Sequence, residues 1–150
     1  MIKPKAKLYI VRGIPGSGKS TLAQQIAKSF ERSEHFEADM YFMRNGVYDF
    51  DVNLLGSAHR WCLEMTHRTL QDFIVNEVED SCVIVSNTFT RLREMDDYFD
   101  IARELNIIPS VVLAQGNFQN VHGVPEDKLQ MMRDRFQFDV SRLYEKYGMI

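Results

Sequence analysis

Apolar residues first gather at Leu8-Tyr9-Ile10-Val11, a run rich in β-branched and aromatic side chains that predicts a buried strand over Lys7 to Arg12. The period then lengthens: Leu22, Ala23, Ile26, Ala27 and Phe30 recur at helical spacing, so a helix follows. Glu34 to Ala38 reads as a short second strand ending at Asp39, and 40–52 has no clean period, which predicts an irregular loop or a broken helix. From Asn53, an N-cap residue type, Leu54, Ala58, Trp61, Met65, Phe73 and Ile74 share a stripe that predicts a long helix to about Val78. Ser81 to Ser86 is the best strand after the first, with the continuous apolar character of a strand covered on both faces. Asn87-Thr88-Phe89-Thr90 leads into a helix carrying Leu92, Met95, Phe99, Ala102 and Leu105, and Pro109 to Ala114 is a further strand. Gln115 to Val124 is polar with two glycines and predicts a loop. Pro125 then opens a helix whose acidic first turn, Glu126 and Asp127, suits the dipole, with Leu129, Met132, Phe136 and Val140 as its stripe. The chain end, Tyr144 to Gly148, is predicted helical until that glycine.

Strands alternating with helices predict an α/β fold of three layers, α/β/α, with a mostly parallel sheet of four to five strands. No repeat, linker or low-complexity segment interrupts it, so 1–150 is expected to be a single domain. Ligands of such sheets bind beyond the carboxyl ends of the strands. The segments that follow strands, at Gly13, Asp39, Asn87 and Gln115 to Val124, should therefore converge on one edge.

Bulk properties narrow the classes. With 150 residues and 45% hydrophobic content the chain is long and apolar enough for one folded core. No apolar run is long enough to cross a membrane, and the short basic start, Met1 to Lys7, runs straight into a strand rather than a secretory leader. A cytoplasmic protein without a membrane partner is expected. Cys62 and Cys82 each lie in an apolar segment and read as reduced core thiols, and no Cys/His metal cluster is visible. A net charge of −3 gives no global support for nucleic-acid binding but leaves room for a local basic channel.

The chemistry lies between the first strand and the first helix. Gly13-Ile14-Pro15-Gly16-Ser17-Gly18-Lys19-Ser20 fits G-x-x-x-x-G-K-S. Its glycines let the backbone turn tightly, so that N–H groups converge on a phosphate chain. Lys19 has the reach for β- and γ-phosphates, the Ser20 hydroxyl can ligate Mg²⁺, and the positive end of the helix faces the same anion. Phosphoryl transfer needs three things more: a metal environment, a group that orients or deprotonates the acceptor, and cations for the developing charge. Asp39 is the candidate base; an aspartate at a strand–helix boundary is also an N-cap residue type, and the two roles are compatible. Asn87 stands where P-loop proteins often carry a Walker-B aspartate; it can order a metal-bound water without bringing charge, or cap the next helix. Candidate cations are Arg44, Arg91, Arg93, Arg133 and Arg135, with Arg12 placed to brace the loop; His59 beside Trp61, and His122 in the polar loop, are lesser candidates for contacts.

Arg12 to Thr21, Asp39, Val83-Ile84-Val85-Ser86-Asn87-Thr88 and His122-Gly123-Val124-Pro125 together resemble the polynucleotide-kinase-like P-loop kinases, a family with small phage-encoded members and zeta-toxin-related relatives. The likeness runs from about Leu8 to Phe138. It implies a P-loop NTPase fold with a polar lid, and transfer of the γ-phosphate of ATP, with Mg²⁺, to a hydroxyl, in the best-known members the 5′-OH of DNA or RNA. By resemblance Gly13, Pro15, Gly16, Ser17, Gly18, Lys19, Ser20 and Thr21 bind the nucleotide, Ser20 ligates the metal, Asp39 is the general base, and Gln115 to Val124 is the lid before the helix carrying Arg133. Three positions depart from the pattern. Phe42 stands at about the place of an arginine that holds the acceptor phosphate, with Arg44 two residues on; the 115–120 segment lacks the lid arginine, leaving Arg133, Arg135 or a partner to supply one; and the Walker-B position is Asn87.

The expected function is thus an ATP-dependent kinase acting on a nucleic-acid or nucleotide-like acceptor, with a 5′-OH polynucleotide kinase as the lead. Alternatives are a kinase of hydroxymethylated pyrimidine bases in DNA, a small-molecule kinase, and a nucleotide-binding module that no longer transfers phosphate. An acceptor channel of aromatics and cations would come from Tyr41, Phe42 and Arg44 or from His59, Arg60 and Trp61, residues that can equally be core.

Overall fold

Leu8 and Ile10 are buried on one side of the first strand and Tyr9 and Val11 pack on the other, as successive strand residues must, and this split sets the layers. The computed structural model describes residues 6–118 and 123–150, so His122, Gln119, Asn120 and the chain start before Ala6 lie outside the described residues. In chain order the elements are β1 (Lys7–Arg12), α1 (Lys19–Ala27), β2 (Arg32–Phe36), a 3-10 turn (Ala38–Phe42), β3 (Met43–Arg44), β4 (Val47–Tyr48), a second 3-10 turn (Val52–Leu54), α2 (Leu55–Val75), β5 (Ser81–Asn87), a third 3-10 turn (Leu92–Glu94), α3 (Asp96–Glu104), β6 (Ser110–Leu113), α4 (Glu126–Arg135) and α5 (Ser141–Lys146). Four strands form one sheet in the order β2-β5-β1-β6, every pair parallel. Residues of α2, α3 and α5 cover one face, among them Cys62, Phe73, Phe99 and Leu143; Ala23, Leu22 and Ile26 of α1 cover the other. β5 is buried from Ser81 to Ser86 because it lies inside the sheet with both faces covered, which is why it carries no polar alternation. No helix of the described residues is long and apolar enough to cross a membrane.

The three-layer expectation holds, with four strands in the sheet where four to five were expected; several boundaries move. The second strand lies two residues earlier than expected, where Arg32 pairs with Ser81 and Phe36 with Val85. The stretch after Asp39 is neither plain loop nor broken helix: it holds the antiparallel hairpin β3–β4, turned by Asn45 and Gly46 with φ of 50° and 78°. Asn53 does not cap α2: it lies inside the second 3-10 turn, which Asp51 caps by accepting the Asn53 N–H on Oδ1 at 2.9 Å, and α2 follows from Leu54 with no side-chain cap. The stripe expected on α4 stops short: Phe136 is already extended, and Gln137 N–H donates to Thr90 O at 2.7 Å, which draws the chain out of the helix.

Arg12 explains that exit. It is buried at the end of β1, and its guanidinium donates to Phe89 O from Nε at 3.0 Å and from Nη2 at 2.7 Å. Its face lies 4.3 Å from the Phe136 ring centroid, a cation–π contact that holds Phe136 under the sheet edge. Burial lowers its pKa to about 10 against the opposing charge of Glu94. Arg12 is thus a brace, but of the segment after β5 and of Phe136 rather than of the loop that was expected. Replacing Arg12 by Met would orphan the Phe89 carbonyl and is expected to destabilise the fold by on the order of 3 kcal/mol. Thermal unfolding should then fall by roughly 6–12 °C, and an unchanged midpoint would remove Arg12 from this role.

Candidate active site

The loop after β1 has the geometry of a phosphate cradle. Gly13 N–H donates to Thr88 O at 3.2 Å and Ser17 N–H to Ile14 O at 3.1 Å. Gly16 and Gly18 have φ of 83° and 92°, a region that L side chains enter only with strain. A Cβ on Gly13 would collide with the Ser17 hydroxyl and with Ala114 O, and one on Gly116 would come within 2.7 Å of Ser17 O. The segment after β6 closes over the loop through Gly116 N–H to Ser17 O at 2.9 Å and Phe118 N–H to Gly16 O at 2.7 Å.

This cradle fits a nucleotide phosphate chain on two observations. The Ser17 hydroxyl is buried without a hydrogen-bond partner among the described residues, a condition that a bound anion relieves. The α1 N-terminus is capped by Gly18 with no side-chain hydrogen bond and has no acidic residue in its first turn, so its first N–H groups are left for an anion. A cleft of about 530 Å³ runs from the loop past Ala114 to Phe118, with Leu129, Arg133, Phe136 and Phe138 on its far wall. That volume suits a nucleotide.

Lys19 Nζ donates to Ile14 O at 3.1 Å. Burial lowers the Lys19 pKa, and the carboxylates of Glu37 and Asp39 oppose that shift, so both lie within electrostatic reach of the ammonium. Asp39 sits inside the 3-10 turn that follows β2, where its Oδ1 accepts from the Tyr48 hydroxyl at 3.2 Å. It is not the N-cap: Glu37 holds that position. Asn87 does not cap the turn after Thr90. Its Oδ1 accepts the Ala38 N–H at 2.9 Å and so pins the start of the turn that carries Asp39. The turn after Thr90 is closed instead by Glu94, which accepts the Arg91 N–H at 2.8 Å.

Sequence reasoning missed Glu37. Its Oε1 accepts from Ser20 Oγ at 2.7 Å and from Ser86 Oγ at 2.9 Å, and lies 3.3 Å from His35 Nε2. His35 Nε2 is also 2.6 Å from Ser86 Oγ. Burial pushes the Glu37 pKa up, but hydrogen bonds from His35, Ser20 and Ser86 together outweigh it and bring it to about 2. Glu37 is therefore charged throughout the neutral range. The available signal was His35-x-Glu37 at the end of a strand, a spacing that puts both side chains on one face.

The arginines separate. Arg133 lines the nucleotide cleft and donates to Glu126 Oε1 at 2.9 Å and Gln130 Oε1 at 3.2 Å. Arg135 Nε donates to Thr90 Oγ1 at 3.2 Å and acts as a brace. Arg44 lies exposed on β3, and Arg91 precedes the third 3-10 turn. Arg93, with His59 and Arg60 of α2, lines a second cleft of about 420 Å³ whose floor is Asn87-Thr88-Phe89. Of the aromatics expected in an acceptor channel, Phe42 is buried in the core, and Tyr41 and Trp61 pack half-buried against each other. The exposed aromatics near Asp39 are Tyr48 and Phe50, stacked at 6.4 Å with their planes 16° apart. Cys62 and Cys82 are buried and unbridged, and burial pushes both thiols up, Cys82 to about 11.

A family model described as an AAA domain matches residues 8–138, a span that takes in the P-loop, Asp39, Asn87 and α4. Human NEDD4-binding protein 2 is 31% identical over 145 residues, covering 89% of this chain but 8% of that protein. An uncharacterized protein of Pasteurella multocida is 29% identical over 123 residues, covering 78% of this chain and 69% of its own length. Among solved structures, a chain of the Pnkp1/Rnl/Hen1 complex superposes with a TM-score of 0.59 at 20% identity, over 87% of this chain and 40% of that one. The APS kinase CysC of Mycobacterium tuberculosis superposes with a TM-score of 0.52 at 14% identity, over 88% of this chain and 97% of that one. The fold is that of these P-loop kinases, as the three-layer reading expected.

Proposed function

This chain belongs to the AAA-domain family of P-loop kinases, and from that membership we propose that it is an ATP- and Mg²⁺-dependent kinase acting on a hydroxyl of a nucleic-acid or nucleotide-like acceptor, with a 5′-OH polynucleotide end as the lead substrate. The observation that carries the reading is the position of Asp39, a carboxylate within electrostatic reach of Lys19 and pinned by Asn87 at the strand edge. Bound Mg·ATP supplies the phosphoryl group and neutralises charge on its oxygens. Asp39 accepts the proton of the attacking hydroxyl and orients its oxygen. Lys19 and the loop N–H groups hold the donor phosphates, and Arg133 lines the same cleft. The acceptor class is argued from two features. Tyr48 and Phe50 offer exposed stacked rings beside Asp39, and Arg60 and Arg93 flank the second cleft with no ion-pair partner among the described residues. Rings that stack bases and cations that meet phosphates are the two elements that hold single strands; here the rings lie by Asp39 and the cations in the second cleft, which Glu94 and Asp97 also line.

A second reading is favoured by one contact: Arg133 is engaged by Glu126, and a module that binds nucleotide without transferring phosphate needs no free cation there. Transfer of labelled γ-phosphate from Mg·ATP to a panel of 5′-OH DNA, 5′-OH RNA, DNA containing hydroxymethyluracil, and free nucleosides separates the two. Label on a 5′-OH strand is the expected result. Label on the modified base or on nucleosides alone would move the acceptor to those classes. Nucleotide binding with no labelled product would favour the module.

A further inference from the structure

Mg²⁺ keeps most of its water and takes few protein ligands, and P-loop proteins hold it with the loop Ser/Thr and a strand-end aspartate. Here the hydroxyl is Ser20, but the two residues that close β5 are Ser86 and Asn87, neither of them charged. The Asn87 amide is turned away, its Oδ1 on Ala38 N–H and its Nδ2 3.8 Å from Cys62 Sγ. Ser86 is the β5 residue on the Ser20 side, and between the two hydroxyls stands one carboxylate oxygen, Glu37 Oε1, at 2.7 Å from one and 2.9 Å from the other.

We infer that Glu37, delivered from the end of β2, is the carboxylate that positions the hydrated Mg²⁺ of the nucleotide complex, in place of an acid on β5. The inference rests on the proposed nucleotide reading and adds to it the residue that replaces the Walker-B acid. Ser20, Ser86 and His35 all converge on Oε1, while Oε2 takes no hydrogen bond from the described residues. A carboxylate fixed through one oxygen with the other open is oriented to accept from a metal-bound water. Ser86 and His35 supply the fixing contacts: His35 Nε2 is 2.6 Å from Ser86 Oγ, so the three side chains hold one another. Metal-site groups of this kind need second-shell partners to keep their orientation.

The test is the Mg²⁺ dependence of ADP binding, read by calorimetry in EDTA and across a Mg²⁺ titration, so that it needs no turnover. Glu37→Gln keeps one acceptor oxygen for the Ser20 and Ser86 hydroxyls, exchanges the other oxygen for an amide NH₂, and removes the charge. It is expected to bind ADP in EDTA at least as tightly as wild type, since a negative charge acting on Lys19 is removed, while requiring roughly 10–100-fold more Mg²⁺ for its metal-dependent gain in affinity. The double variant Glu37→Ser with Ser86→Asp returns a carboxylate to the same gap from β5 and is expected to restore the dependence. It also provides a readout should Glu37→Gln fold poorly. Wild-type Mg²⁺ dependence in Glu37→Gln, whatever its melting temperature, or failure of the double variant to restore it, would overturn the role of Glu37 while leaving nucleotide binding intact. No ADP binding by the wild-type protein would overturn the nucleotide reading as well.

Discussion

Lys19→Ala is expected to weaken ATP and ADP binding by roughly 100-fold, about 2.7 kcal/mol. A hydrogen bond to a charged group contributes about 1.5–3 kcal/mol, and this ammonium does more than donate. It sits with the carboxylates of Glu37 and Asp39 acting on it, and it is the cation that offsets them at the loop. Without it, two negative side chains face a polyphosphate with nothing between, so repulsion adds to the lost contact. The nucleotide-free protein has less at stake, because the described hydrogen bond of Lys19 is one donation to Ile14 O. The melting temperature without ligand should therefore stay close to wild type, while the ligand-induced gain collapses. At a nucleotide concentration 100 times the wild-type Kd that gain is about 2.7 kcal/mol, and at a concentration equal to Kd only about 0.4 kcal/mol. Thermal unfolding with and without ADP reads both quantities. An undiminished ligand shift in Lys19→Ala would mean that the loop is not the phosphate site.

That loop was readable from the sequence because its requirements are local. Glycines at fixed offsets, a lysine and a serine at a helix start are set by backbone geometry over eight residues, and the observed φ values at Gly16 and Gly18 are what the pattern implied. β1 and β5 were equally plain, since burial on both faces leaves a continuous apolar run. Other features depend on what tertiary contact does to a residue whose type is ambiguous. Glu37 looks like one more polar residue at a strand end until β2, β5 and α1 bring His35, Ser86 and Ser20 to it. Asn87 has the residue type of a cap, yet its amide serves the backbone of a neighbouring strand end. Phe136 kept the helical spacing of Leu129 and Met132, but the buried guanidinium of Arg12 binds its ring and helix α4 ends before it. Asp51 and Asn53 are two good caps two residues apart, and only the path of the chain out of the hairpin chooses between them. The hairpin itself was within reach: Asn45-Gly46 is its usual turn pair, masked because strands of two residues show no alternation.

Asp39→Asn is expected to lower kcat by about 10²–10⁴-fold, the range that a positioned general base contributes. The replacement is nearly isosteric. Its Oδ1 still accepts from the Tyr48 hydroxyl, so the contact between the 3-10 turn and the hairpin is kept and stability should change little. Nucleotide affinity should hold or tighten, because a negative charge acting on Lys19 has been removed from the neighbourhood of the phosphates. Loss of turnover with retained binding is the signature of an interaction made in the transition state rather than in the ground state. A purely positional role for Asp39, through its contact with the hairpin, makes a different forecast: Tyr48→Phe, which removes the donor and leaves the carboxylate, would then be as damaging as Asp39→Asn. If Asp39 is the base, Tyr48→Phe should cost clearly less in kcat than Asp39→Asn, because it removes one hydrogen bond to a carboxylate, a contact of about 1.5–3 kcal/mol, and leaves that carboxylate in place. Single-turnover rates for the two variants, measured beside their ADP affinities, decide the matter. Equal losses would make Asp39 a support for the hairpin, and a wild-type rate in Asp39→Asn would leave the proposed kinase without its base.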